Sequence, residues 1–191
     1  RAGNPGQCNA IPEVGSKQFS WPYMDACYDS AWYLTQTNAG GSKEVFLERL
    51  EAALERYSEV DLYLLAHSNH YVDWVAQLPA ATRSHLRLVY NTGCRDLRQG
   101  PKWLSLGARA YVGHPGKSAS PVFYYFFLRH WTRGHSLGEA VDEANQLMRL
   151  ELDRAQVLSL GQMNAAKVFA ASAGAGVGEM QLRLDGEGGS L

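Results

Sequence analysis

Three short apolar runs punctuate the first two thirds of the chain: residues 62–66 (LYLLA), 85–90 (HLRLVY) and 108–112 (ARAYV). Each is nearly continuous rather than alternating in polarity. That is the pattern of strands buried on both faces of a parallel sheet. Between them the apolar positions fall at helical spacing. Ser42 caps a helix running to Tyr57, with Phe46, Leu50, Ala53, Leu54 and Tyr57 as its stripe. Residues 71–77 predict a short helix that stops before Pro79, and residues 101–106 predict another. Ser120 and Pro121 open a strongly aromatic helix that runs to Trp131 and breaks at Gly134. Ser136 and Glu139 form a capping box at the start of the best helix in the chain. Its buried face is expected to hold Leu137, Ala140, Val141, Ala144, Leu147 and Met148.

Three further segments read as strands: residues 30–37, 167–171 and 180–184, the last two flanking a Gly/Ala-rich turn. The alternation of strand and helix predicts an α/β domain. The expected architecture is a three-layer α-β-α sandwich around a mostly parallel sheet of about 4–6 strands. Residues 1–27, rich in Pro, Gly and Asn, read as an irregular N-terminal arm, and residues 28–191 as one domain. Five aromatics in a row, Phe123 to Phe127, cannot all face one core. Phe19, Trp21 and Tyr23 of the arm are expected to cover the remainder, with a partner chain as the other candidate.

Composition narrows the function only modestly. A chain of 191 residues, 46% hydrophobic, has room for one real core. A net charge of −1 favours neither nucleic acid nor an anionic membrane surface, and no apolar run has the length of a membrane span. Cys8 and Cys27 lie in or beside the arm, and Cys94 lies deep in the apolar part. Cys8 and Cys27 are either a disulfide staple or two plain thiols. The staple, with the start at Arg1 rather than Met, gives an expectation of a secreted or periplasmic protein.

Candidate chemistry sits where the apolar runs stop. His67, Cys94 and His114 each follow one. In an open parallel sheet, ligands bind past the carboxyl ends of the strands. A cysteine nucleophile needs thiolate character and a base within hydrogen-bond reach. Two adjacent strands ending in Cys94 and His67 supply that pair, with His70 as a second candidate base. Gly93 permits a tight turn that presents the sulfur. Backbone N–H groups around Gly93 and Ser68 are candidates for an oxyanion hole, with His114 lining the cleft or holding a turn. No acidic or basic specificity residue stands out by motif, and Arg95 and Asp96, which follow the cysteine, can serve simply to fix the loop. Zinc bound by Cys94, His67 and His114 is disfavoured by the absence of any C-x-x-C or H-x-x-x-H pair. No cofactor is expected.

An apolar strand ending in His67, a helix, and an apolar strand ending in Thr92-Gly93-Cys94-Arg95-Asp96 together resemble the caspase-like cysteine peptidases. That superfamily includes caspases, gingipains, legumains, separases, clostripain and the CHAT domains. Residues 106–113 (LGARAYVG) resemble the strand after the nucleophile in bacterial members. The aromatic helix and residues 136–145 (SLGEAVDEAN) resemble the helix pair that closes CHAT and gingipain-like domains. The similarity spans roughly residues 30–149 and rests on order and spacing. It implies a caspase-like fold, Cys94 as nucleophile, His67 as general base and acid, and a peptide or protein substrate. This chain departs from the pattern at one place: Ser68 follows His67 where the superfamily usually has glycine. Two other readings stand beside the peptidase. One is a catalytically inactive module of the same fold that binds a protein or ligand. The other is an unrelated α/β hydrolase or transferase, weakened by the absence of a G-x-S-x-G elbow and a phosphate loop.

Overall fold

The computed structural model describes residues 18, 20–34, 42–65, 70–117 and 120–184. Among them, four strands form a single sheet in the order β1-β2-β3-β4: β1 (Val60–Leu64), β2 (Leu86–Asn91), β3 (Ala110–Gly113) and β4 (Ala175–Gly178). The first three run parallel, and β4 pairs antiparallel with β3. Every residue of β2 and β3 is buried, whereas β1 and β4 at the edges are mostly half-buried. The protein is therefore α/β with a mostly parallel open sheet.

Eight α-helices accompany the sheet among the described residues: α1 (Trp21–Cys27), α2 (Lys43–Arg56), α3 (Tyr71–Val75), α4 (Ala80–Arg83), α5 (Gly100–Ser105), α6 (Ser120–Trp131), α7 (Leu137–Leu158) and α8 (Ala165–Ser172). Parallel strands laid down one after another in one direction need crossovers of one hand, which puts the connectors on one face. The packing agrees. Phe46, Leu50 and Leu54 of α2, Val72 and Val75 of α3 and Trp103 of α5 pack with Leu86, Val89 and Tyr111. Leu88, Tyr90, Ala110 and Val112 pack instead with Phe123, Phe127, Leu137, Ala144 and Met148 of α6 and α7. The sheet thus has a separate apolar cluster on each face.

The expected caps form. Ser42 Oγ accepts the Val45 N–H, and the Ser136–Glu139 capping box closes in both directions. The expected buried face of α7 is present except that Leu147 is half-buried, and Leu152 extends it. The aromatic helix α6 buries Phe123, Tyr124, Phe127, Leu128 and Trp131. Tyr23 of α1 meets Tyr125 edge-on at 6.0 Å, so the arm does cover part of the aromatic surplus. Phe19 lies outside the described residues.

Four segments differ from the sequence reading. Residues 21–27 of the expected irregular arm form α1, with Pro22 in its first turn. Residues 31–34 are not in a strand, and 35–37 lie outside the described residues. Residues 167–171, read as a strand, belong to α8. Asn164 Oδ1 accepts the Lys167 N–H and Gln156 Oε1 accepts the Ala165 N–H, and an Ala-rich helix with both caps outweighs one Val-Phe pair. The fourth strand is the Gly/Ala-rich segment 175–178, while 180–184 are turn and coil. Glycine is required at two points there. Gly178 has φ 94° and a Cβ on it would lie 2.3 Å from the Arg109 carbonyl oxygen, and one on Gly174, just before the strand, 2.0 Å from the Phe123 ring. Among the described residues no helix is long and apolar enough to cross a membrane.

Candidate functional site

The carboxyl ends of β1, β2 and β3 lie side by side. Leu64 pairs with Asn91, and Tyr90 with Val112 one residue before the end of β3. The chain leaves β2 in a turn tied by backbone hydrogen bonds on both sides of Cys94. Both the N–H and the hydroxyl of Thr92 donate to the Leu64 carbonyl, at 2.8 and 3.1 Å, which prolongs the β1–β2 contact beyond the strands. Gly93 N–H donates to the Asn91 side-chain oxygen at 3.0 Å. Arg95 sits at φ 60°, a left-handed conformation that costs a non-glycine residue about 1 kcal/mol or more. Its N–H donates to the Gly116 carbonyl at 2.9 Å, and Leu97 N–H to the His114 carbonyl at 3.2 Å.

Cys94 stands at the head of this turn, three residues beyond β2, and is half-buried. Among the described residues none accepts its backbone N–H. The Gly93 N–H, expected as an oxyanion donor, is instead taken by Asn91. The Arg95 side chain is exposed, and Asp96 is fully buried, so of the two side chains it is that of Asp96 that fixes the loop, Arg95 contributing its backbone N–H. Its Oδ1 accepts the His114 N–H at 2.7 Å, while its own carbonyl accepts the Tyr111 hydroxyl at 2.8 Å. Burial pushes the Asp96 carboxyl up to about 7, against the pull of the N–H groups of His114, Asp96 itself and Gly93.

His114 follows β3 and is fully buried. Its Nδ1 lies 2.7 Å from the Ser172 carbonyl, so that nitrogen carries the proton and Nε2 accepts the Tyr90 hydroxyl at 3.1 Å. Phe123 meets the ring edge-on at 5.2 Å. Burial lowers its pKa, so the imidazole is neutral. With both nitrogens committed, His114 joins β2, β3 and α8. Of the two roles expected for it, the structure gives it the turn-holding one rather than a place along an open cleft.

His67 and Ser68 lie outside the described residues, as does Cys8. Cys27 is an exposed free thiol whose Sγ is 3.7 Å from the Thr132 carbonyl oxygen. His70, the other candidate base, is exposed and packs against Tyr71 and Trp74, with ring centroids 5.2 and 4.5 Å away. Among the described residues no three His, Cys, Asp or Glu side chains gather to hold a metal ion. Sequence reasoning missed Asn91, although an Asn two residues before a glycine is a recognisable turn signal. It also missed the Asp96–His114 bond, which joins residues 18 apart and carries no local signature.

No family model, no curated protein and no solved structure matches this chain.

Proposed function

We propose that this chain is a cysteine endopeptidase of caspase-like fold, with Cys94 as nucleophile and His67 as general base and acid. The observation that supports it best is the setting of Cys94. A half-buried thiol heads a rigid turn beyond a buried parallel strand, beside the strand that the sequence continues into His67. The Cys94 N–H, without an acceptor among the described residues, is the donor suited to an oxyanion.

The chemistry balances as follows. His67 takes the thiol proton, and Sγ attacks the peptide carbonyl carbon, putting the charge on oxygen. The C–N bond then breaks, His67 returns the proton to the leaving amine, and a thioester remains. Water, deprotonated by His67, attacks the thioester. The C–S bond breaks to give a carboxylic acid and the free thiol. A neutral, buried His114 takes no part in proton transfer.

Iodoacetamide labelling followed by peptide mapping tests this reading, with exposed Cys27 as an internal reference for an ordinary thiol. Cys94 is expected to react faster than Cys27 near neutral pH and to lose that advantage in His67→Ala. Cys94→Ala is expected to abolish turnover of a peptide library. Equal reactivity of the two thiols, with turnover unchanged in Cys94→Ala, sinks the proposal. Ser68, in place of the glycine that the resemblance asks for, favours a second reading: a module of the same fold that binds a peptide without cleaving it. Retention of a peptide without turnover, by a chain in which Cys94 is no more reactive than Cys27, would support that reading.

A further inference from the structure

Two residues past Cys94, a carboxyl group is buried with no counter-charge among the described residues. Asp96 is fully buried, and its Oδ2 has no hydrogen-bond partner among the described residues. Among the described residues, the titratable groups that face it are Tyr111 from β3, Tyr90 from β2 and His114 beyond β3. The two tyrosines are held protonated by burial, and His114 is neutral. On its own segment Arg95 and Arg98 are exposed and form no ion pair with it among the described residues. The close approach is built in: a Cβ on Gly113 would stand 2.9 Å from Asp96 Oδ1.

We propose that Asp96 is the positioning residue of the Cys94 turn, its carboxyl group clasping the turn to the end of β3 through the His114 N–H. The assignment rests on reading Cys94 as the nucleophile. The clasp has three parts: Asp96 Oδ1 on His114 N–H, Leu97 N–H on the His114 carbonyl, and Arg95 N–H on the Gly116 carbonyl. Only the first carries a group that titrates. An ionised carboxylate grips an N–H about twice as strongly as a neutral acceptor. With the carboxyl raised to about 7, the grip tightens as pH rises through neutrality, in the range where the thiol must react.

Two readouts on the full chain test this, and neither uses turnover. In the isotope-labelled protein, the Asp96 carboxyl carbon and the His114 amide are followed from about pH 5 to 9. Both are expected to titrate together with a midpoint near 7. The His114 titration is expected to vanish in Asp96→Asn. Over the same range, the rate of Cys94 alkylation is expected to show an inflection near 7 besides that of the thiol itself, with a several-fold change that Asp96→Asn lacks. A carboxyl that titrates in the ordinary range near 4 overturns the proposal. So does a His114 titration that persists in Asp96→Asn, which would belong to the imidazole. Superposed alkylation profiles for the two proteins overturn it as well. If Asp96→Asn does not fold, the carboxyl signal and the alkylation profile of the wild-type chain decide alone. A chain that cleaves no peptide but shows both titrations would lose the peptidase reading and keep the clasp.

Discussion

The two ends of the β1–β2 pair solve opposite electrostatic problems. At the amino end, Arg87 is buried against Asp61, their side chains 7% and 0% exposed. The guanidinium donates from Nε and Nη2 to the two Asp61 oxygens at 2.8 and 2.9 Å. It also donates to Glu59 and to the Leu184 carbonyl, and stacks over the Trp131 ring at 5.7 Å. The Tyr28 hydroxyl completes the shell, 2.5 Å from Asp61 and 2.6 Å from the Tyr63 hydroxyl. Every charge there has a partner. At the carboxyl end the buried Asp96 carboxyl has backbone N–H groups and, among the described residues, no cation. The sheet spends its ion pairing where it is scaffold and withholds it beside Cys94, where a group of adjustable charge has a use.

The largest effect expected from this contrast is at the paired end. Arg87→Met leaves the buried Asp61 carboxyl without its guanidinium partner, which should cost about 3–5 kcal/mol in urea unfolding. Adding Asp61→Leu should recover a good part of that loss, because the stranded carboxyl is then gone. If Arg87→Met costs no more than an exposed ion pair, the amino end is not the closed cluster described above.

At the other end the effect is smaller and depends on pH. Asp96 binds its proton more tightly folded than unfolded, about 7 against 3.8. Its contribution to stability is therefore present below the unfolded value and lost as pH rises towards 7 and through it. Asparagine has no such dependence. The stability of Asp96→Asn relative to wild type should rise by about 1–3 kcal/mol between pH 5 and 8, measured by urea unfolding at each pH. A constant difference would mean that the carboxyl is paired after all.

The smallest effect concerns strain. Arg95 occupies the left-handed region at φ 60°, where glycine rests without penalty. Arg95→Gly should stabilise the chain by a few tenths to about 1 kcal/mol at its melting transition, because the N–H bond to Gly116 is kept. A loss of stability would show that the exposed arginine side chain contributes more than its backbone costs.

The paired end was the harder one to foresee. Arg87 sits inside the apolar run HLRLVY, and nothing local says that it is buried. Its burial needs Asp61 on another strand and a slip in register, where Val60 pairs with Leu86 but Asp61 with Leu88. That irregularity sends Arg87 and Leu88 towards the same side, so both reach the α6–α7 face. The unpaired end was more legible. A buried run, a small-residue turn and a polar residue at its head are visible in LRLVYNTGCRD, and the caps at Ser42 and Ser136 are local patterns too. What escaped was anything decided by absent side chains or distant partners. The glycines of β4 read as a turn because Ala-Gly-Val-Gly shows no strand period, and only the Arg109 carbonyl on the neighbouring chain segment reveals why Gly178 is needed.

The turn that carries Cys94 also has a mechanical property. Arg95 and Leu97 are tied to the loop after β3, and Gly116 of that loop donates to Ala171 near the end of α8. The His114 ring holds Ser172 from the same helix. These links run in series, so the Cys94 turn and α8 are two ends of one chain of hydrogen bonds that passes through the loop after β3. The thiol's turn is thereby anchored to a helix that lies far from it in sequence.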